Sequence, residues 1–162
     1  MRKIIKLLKR FIFLSFLPAF VMSADFELDD IISDANKTDK HILLFFHKDG
    51  CGFCEKTIFD LEDTNISQII KKDFILVDIN KDDDETISFK GDEGTTIEFL
   101  KALDIDLYPT IVFFDKTGTF IYDVVGYRNK RKFATILEYI QKELYHEITF
   151  EEFEDESLAD ED

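Results

Sequence analysis

The sequence predicts an α/β fold with a mixed sheet of four to five strands and helices on both faces. Three observations carry that expectation. Residues 42–46 and 74–79 are apolar runs of strand length without in/out alternation, as expected of strands covered on both sides. Segments with helical spacing separate these runs, and helical crossovers between parallel strands place helices on both faces. Near the end, two apolar runs (110–114 and 119–125) flank the four residues Asp115-Lys116-Thr117-Gly118, which implies an antiparallel hairpin.

The elements follow in chain order. Residues 25–40 read as a first helix, with Phe26, Leu28, Ile31, Ile32 and Ala35 near helical spacing and acids between them. The strand at 42–46 leads into His47-Lys48-Asp49-Gly50, and from Cys51 a helix runs past Lys56, Ile58, Phe59 and Leu61. It breaks around Asp63-Thr64-Asn65 and resumes to Lys72. After the strand at 74–79, residues 80–94 are rich in Asp, Lys and Gly and form a surface insertion with room for a short strand or hairpin. Thr95-Thr96-Ile97-Glu98 has the capping-box pattern and starts a helix through Phe99, Leu100 and Leu103. The closing hairpin ends at Gly126, and a last helix spans 130–145 with Phe133, Ile136, Leu137 and Ile140 in one stripe. From Glu147 there are nine acids in sixteen residues and no base, which predicts a disordered tail over 147–162; an acidic-aromatic docking peptide is the other reading. The domain itself is assigned to residues 25–146.

The first 24 residues have a different character. Arg2, Lys3, Lys6, Lys9 and Arg10 precede twelve largely apolar residues, and Ser23 and Ala24 follow. That order is expected of a secretory signal peptide over residues 1–24. The apolar run is shorter than the roughly 20 residues a spanning helix needs; an uncleaved amphipathic anchor is the alternative. Cleavage would leave the mature chain five charges more negative than the −15 of the whole. Such a surface repels nucleic acid and anionic membrane, so neither is an expected partner. The expected address is a periplasm, and the expected state a monomer.

The chemistry gathers at Cys51-Gly52-Phe53-Cys54, which holds both cysteines of the chain. A strand followed by a glycine-containing turn leaves Cys51 at a helix start, where free N–H groups and partial positive charge favour a thiolate. Cys51 is therefore the expected attacking sulfur. Cys54, one turn on, can close a short disulfide with it. Such a closure spans too few residues to stabilise the fold much, which favours a redox pair over a staple. Two buried small hydrophobes, or half a zinc site, remain compatible with the same spacing. His41, His47 and His146 lack ligand spacing, so no metal and no cofactor is assigned. Glu55 rather than His follows Cys54, which excludes the usual covalent haem motif. Lys48 and Lys56 read either as solvated lysines or as a source of positive potential.

A second constellation, Tyr108-Pro109-Thr110, opens a strand 55 residues beyond Cys54. With the Cys-x-x-Cys turn, Gly118 in the hairpin and Gly126 after the last strand, the chain resembles the thioredoxin-like superfamily over residues 40–144. It is most similar to the exported branch carrying an insertion before the helix that precedes a cis-proline. The resemblance implies a thioredoxin-like fold with a cis Tyr108–Pro109 bond facing the cysteines. It also implies that Tyr108, Pro109, Thr110, Gly52 and Phe53 contact an extended substrate segment. The chain departs from the family pattern at four places. Phe45 stands where a buried carboxylate is common, and His47 and Gly50 stand where Trp is common. Asp78 takes the place of a lysine in the next strand. The proton route of the usual thioredoxin is thus in question, and His47 and Asp78 are candidates for tuning the thiolate. The resemblance implies a thiol–disulfide oxidoreductase. Gly52-Phe53 is closer to the motif of exported reductases and isomerases than to that of strong oxidases. No room exists for the isomerases' dimerisation domain between the leader and the first strand, so a reductase is expected. Its partners would be client proteins with cysteines or disulfides and a membrane electron donor. The alternatives are a disulfide-forming oxidase or isomerase, a copper- or zinc-handling module, and a non-enzymatic adaptor.

Overall fold

The computed structural model describes residues 26–159. The expected signal peptide lies outside the described residues. Among those described, no helix is long and apolar enough to cross a membrane. The chain runs β1 (Phe26–Glu27), α1 (Leu28–Thr38), β2 (His41–His47), α2 (Gly52–Leu61), α3 (Thr64–Asp73), β3 (Phe74–Asn80), β4 (Thr86–Phe89) and β5 (Asp92–Thr95). It continues with α4 (Thr96–Ala102), β6 (Thr110–Phe114), β7 (Phe120–Val125), α5 (Lys130–Gln141), a 3-10 turn at Leu144–His146, and α6 (Phe150–Ala159).

The main sheet has four strands in the order β3-β2-β6-β7. β2 pairs with β3 in parallel, and with β6 antiparallel; β6 and β7 form the expected hairpin. Side chains on alternate residues of β2 divide the core in two. Leu43 and Phe45 join Ile66, Ile70, Ile136, Leu137 and Ile140 on the face covered by α2, α3 and α5. Ile42, Leu44 and Phe46 join Leu28, Ala35 and Leu100 on the face covered by α1 and α4. Phe45, Phe46 and Phe113 are almost wholly buried. At about 25 cal/mol per Å² of apolar surface removed from water, each contributes on the order of 2 kcal/mol.

Local signals explain the element ends. α1 stops at Asp39, whose left-handed backbone turns the N–H back to the Ala35 carbonyl. Asp63 caps α3 through the Asn65 N–H, and Asn129 caps α5 through the Lys132 N–H. At Thr95 and Glu98 the capping box is complete in both directions. Gly118, in the hairpin turn, has φ +76°, and a Cβ there would come within 2.6 Å of Ile32 Cδ1, so both conformation and space require glycine.

The structure corrects the sequence reading in four places. The first helix begins at Leu28 rather than Asp25, because residues 26–27 form a short strand. That strand exists because the 80–94 insertion supplies a partner: β1, β4 and β5 make a separate three-stranded sheet. β3 is not buried on both faces: it is one of the two edge strands, with Leu76 41 % exposed and Asp78 exposed. The tail is not disordered over its described part. The last helix stops at Gln141, and Glu143 (φ 55°) breaks it before the 3-10 turn. The chain then re-enters a helix at Phe150. Thr149 and Glu152 cap α6 reciprocally: the Thr149 N–H donates to Glu152 Oε2 (2.8 Å) and the Glu152 N–H to Thr149 Oγ1 (3.3 Å). Phe150 is buried against Tyr122 and Tyr139, and the Tyr139 hydroxyl donates to the Ile148 carbonyl (2.7 Å). Burial of Phe150, with Phe153 packed on Tyr139, Glu154 paired with Lys132 (2.9 Å) and a satisfied cap, outweighs the repulsion of the exposed acids around it.

Candidate active site

β2 delivers the site at its carboxyl end. The turn after His47 is pinned to the loop after β3: the Asp49 N–H donates to Asp82 Oδ2 (3.0 Å), and Asn80 Nδ2 donates to Asp49 Oδ1 (3.0 Å). Gly50 takes a positive φ (+63°) that reverses the chain into α2.

Cys51 is the N-cap of α2, in extended conformation, and forms a disulfide with Cys54 across a Cα–Cα distance of 5.2 Å. Helix-start donors converge on it. The Cys54 N–H lies 3.2 Å from the Cys51 sulfur, and the Cys54 and Glu55 N–H groups reach the Cys51 carbonyl at 2.9 and 3.1 Å. After reduction, the Cys54 N–H is placed to donate to a Cys51 thiolate, and the helix start favours that charge. The two sulfurs differ in access: Cys51 is half-buried, whereas Cys54 is 1 % exposed. A bulky disulfide can approach only the first.

The Tyr108–Pro109 peptide bond is cis. The Tyr108 carbonyl oxygen lies 3.9 Å from the Cys51 sulfur. Two bonds hold this loop. The Gly126 N–H donates to the Pro109 carbonyl (2.7 Å), and the Thr110 hydroxyl donates to the Leu107 carbonyl (2.8 Å). Thr110 and Pro109 are buried supports, so of this trio Tyr108 is the residue that faces outward. Burial of its ring raises the Tyr108 pKa above the ordinary tyrosine value. Lys48 Nζ sits 5.8 Å from the ring centre.

Gly52 and Phe53 are exposed beside the disulfide, Phe53 at 64 %. Its ring stacks on Tyr127 at 6.0 Å. Lys56 Nζ lies 4.3 Å from the centre of the same Tyr127 ring. The Tyr127 hydroxyl donates to Oδ2 of the buried Asp60 (2.9 Å), and Lys130 stands 3.9 Å from the other Asp60 oxygen. Lys130 also binds Asp63 (2.8 Å) and holds that carboxyl below its usual pKa. The sequence reading missed Tyr127, Asp60 and Lys130. Gly126, which it did single out, marks the end of β7, but pairing of the next residue with α2 needs the tertiary fold.

His47 and Asp78 come together across the β2–β3 ladder. His47 Nε2 is 2.7 Å from Asp78 Oδ1, and the imidazole stacks on Phe45 at 5.1 Å. The described bond of His47 therefore goes to a carboxylate and not to a sulfur. Phe45 itself is 1 % exposed and fills its family position with hydrocarbon. Among the described residues no group of three or more His, Cys, Asp or Glu side chains is arranged to hold a metal ion.

Comparison with known proteins gives this arrangement its context. A family model described as a thioredoxin-like domain matches residues 28–141. A thioredoxin-fold protein from Helicobacter pylori is 30% identical, with 75% of this chain and 81% of that chain covered and a TM-score of 0.60. Thioredoxin from Thermus thermophilus is 18% identical over 71% of this chain and 84% of its own, with a TM-score of 0.56. A poplar thioredoxin h is 19% identical over 70% and 87%, with a TM-score of 0.52. The last two likenesses show the fold alone. No curated protein gives a match. The family model takes in β2, the Cys-x-x-Cys helix, the Pro109 loop and the closing hairpin together, and the chain belongs to the thioredoxin-like family.

Proposed function

We propose that the protein is an exported thiol–disulfide oxidoreductase that reduces disulfides in periplasmic client proteins. The observation that carries this reading is the Cys51–Cys54 disulfide itself. Its outer sulfur is accessible at a helix N-cap, its inner sulfur is shielded, and a backbone carbonyl stands 3.9 Å away. The half-buried Cys51 is the attacking residue and the buried Cys54 the resolving one. In the reduced protein the Cys51 thiolate attacks one sulfur of a client disulfide. A Cys51–client bond forms, the client S–S bond breaks, and the departing client sulfur takes a proton. Cys54 then loses its proton and attacks the Cys51 sulfur. The protein disulfide re-forms and the second client sulfur leaves as a thiol. Two electrons have passed from protein to client. A dithiol donor, in this reading served by a membrane electron carrier, restores the pair. Phe53 and Tyr108 flank the reacting sulfur and form the contact surface for the client. His47 and Asp78, bound to each other, tune the site through the ladder beneath it rather than through a bond to sulfur.

The test is the reduction potential of the Cys51–Cys54 pair, measured by equilibration against a defined thiol–disulfide buffer. A value between about −270 and −200 mV, the range of thioredoxin and glutaredoxins, supports the reductase. A value near about −120 mV, as for a strong oxidant, reverses the direction of electron flow. A pair that does not cycle reversibly overturns both. The exported address is tested separately, by the mass of the protein recovered from the periplasm: loss of residues 1–24 is the expected result.

A further inference from the structure

The Pro109 loop has a second side. On the α1/α4 face of the main sheet, β7 lies at the end of the strand order. A groove of about 310 Å³ lies there between β7 and the chain from Leu103 to Leu107. Register places its parts. Thr110 pairs with Val125 and Val112 with Asp123, so these β6 residues form the floor and β7 the wall. Leu107, Phe120 and Val125 are 60, 56 and 42 % exposed here; they are three of the seven large apolar side chains so exposed among the described residues. Exposed apolar side chains gathered in one place mark an interaction surface more than the same number scattered singly.

Three exposed carboxylates, Asp104, Asp106 and Asp123, rim the same groove. No Lys or Arg is among the residues that line the groove, whereas Asp34, Asp39, Asp63, Asp78 and Asp82 elsewhere are each paired. β7 also ends the sheet order, so its outer edge carries no strand partner among the described residues. That edge lies beside the groove, and an extended segment in the groove can lay alternate side chains into its apolar sockets. A second copy of this chain is a poor occupant. It would bring its own net charge of −15 and the same three carboxylates against these.

We propose that this groove binds an extended client segment of mixed basic and apolar residues that lies near the client's reactive cysteine. This rests on the redox reading above and gives it a substrate class. Leu107 lines the groove, and the next residue, Tyr108, has its carbonyl 3.9 Å from the Cys51 sulfur. The Gly126 N–H ties the far end of β7 to Pro109 (2.7 Å). A segment in the groove therefore lies one residue of this chain away from the carbonyl that faces the reacting sulfur, close in space to the client cysteine joined to Cys51. The attack on sulfur is unspecific chemistry, and the groove supplies selection by charge and surface.

The experiment separates binding from catalysis. Dye-labelled, cysteine-free ten-residue peptides of alternating Lys-Leu, Glu-Leu and Lys-Ser are titrated with the oxidised full protein, and fluorescence anisotropy is read at low and moderate salt. The Lys-Leu peptide should bind about 10-fold more tightly than the other two, since it alone offers both the charges and the apolar side chains that match the groove. The triple variant Asp104→Asn, Asp106→Asn, Asp123→Asn should lose that preference, as should Phe120→Ser. A control triple on α6 (Glu151→Gln, Asp155→Asn, Glu156→Gln) makes the same change in net charge and should keep it. Equal binding of all three peptides overturns the proposal. So does an equal loss in the control, which would assign the effect to overall charge. Self-association of the wild type that Phe120→Ser abolishes also overturns it, in favour of a second copy. Reduction of hydroxyethyl disulfide by the wild type reads the redox cycle independently. Failure there counts against the proposed reaction, while the peptide titration still decides the groove.

Discussion

β2 begins and ends on a histidine, and its two ends have opposite character. At the start, His41 is largely buried, and its Nε2 shares a hydrogen bond with the Tyr145 hydroxyl (3.3 Å). Burial pushes the Tyr145 pKa up to about 12 and lowers that of His41 below its ordinary value. Tyr145 packs on Tyr139, which packs on Phe150, so this end docks the C-terminal segment. At the finish, His47 is tied to the exposed Asp78, and the chain leaves the sheet for the half-buried Cys51. The first end gathers contacts that fix the domain; the second leaves a sulfur and two aromatic rings open. The difference teaches that a residue type at a strand end has no fixed meaning. What packs against it decides between framework and chemistry.

The comparison breaks most decisively at Cys51. Cys51→Ser should reduce disulfide reduction to background. Cys54→Ser should still attack once and accumulate a mixed disulfide with its client, visible as an added mass that dithiothreitol removes. Turnover by Cys51→Ser would show that the open end is not the reacting end.

Next in size is the framework end. Phe150→Ala should lower the unfolding free energy by about 3 kcal/mol in urea titration, the low end for a buried Phe truncated to Ala. The rate of disulfide reduction per folded molecule should stay the same. A large rate loss without a stability loss would make α6 part of the site.

Thr149→Ala removes one side of the α6 cap and should cost about 1 kcal/mol by the same titration. A near-zero cost would mean that the helix is held by its tertiary contacts, Phe150, Phe153 and the Lys132–Glu154 pair, rather than by its cap.

The smallest effect concerns His41. Its folded pKa is depressed, chiefly by burial, against the opposing influence of Glu143, Asp115 and Asp39 and with a minor contribution from Lys116. The unfolded chain therefore binds this proton at a higher pH than the folded protein. The neutral ring's contribution is fully present above pH 6.5 and is lost as pH falls from there towards the folded value. Melting temperatures of wild type and His41→Gln should accordingly converge as pH is lowered from about 7 to 5. A constant gap would mean that folding leaves this pKa unchanged, and a widening one that the folded protein favours the charged ring.

Much of this was legible in the residues. The unalternating runs at 42–46 and 110–114 are the buried strands β2 and β6. Thr95 and Glu98 form the cap their spacing predicts. Cys51-Gly52-Phe53-Cys54 lies where a strand gives way to a helix, with Cys51 as the cap. The tail shows how local evidence is outvoted. Thr149 and Glu152 repeat the pattern of Thr95 and Glu98, and Phe150 and Phe153 are spaced for one helix face. Nine acids in sixteen residues nevertheless argued for disorder, because charge density is averaged over the stretch while one buried ring is not.

The sequence by itself determined whatever depends on neighbours along the chain: the buried strands β2 and β6, the caps, the turn at Gly118, and the two sulfurs one helical turn apart. The tertiary structure decided whatever depends on residues far apart. β1 is a strand only because β4 lies beside it. Asp78 is exposed only because β3 is a sheet edge. Asp60 is tied to Tyr127, 67 residues away, and Tyr108 to the sulfur of Cys51, 57 residues away. Periodicity and propensity are properties of a few adjacent residues, whereas burial and partnership arise when distant segments exclude water from a shared face.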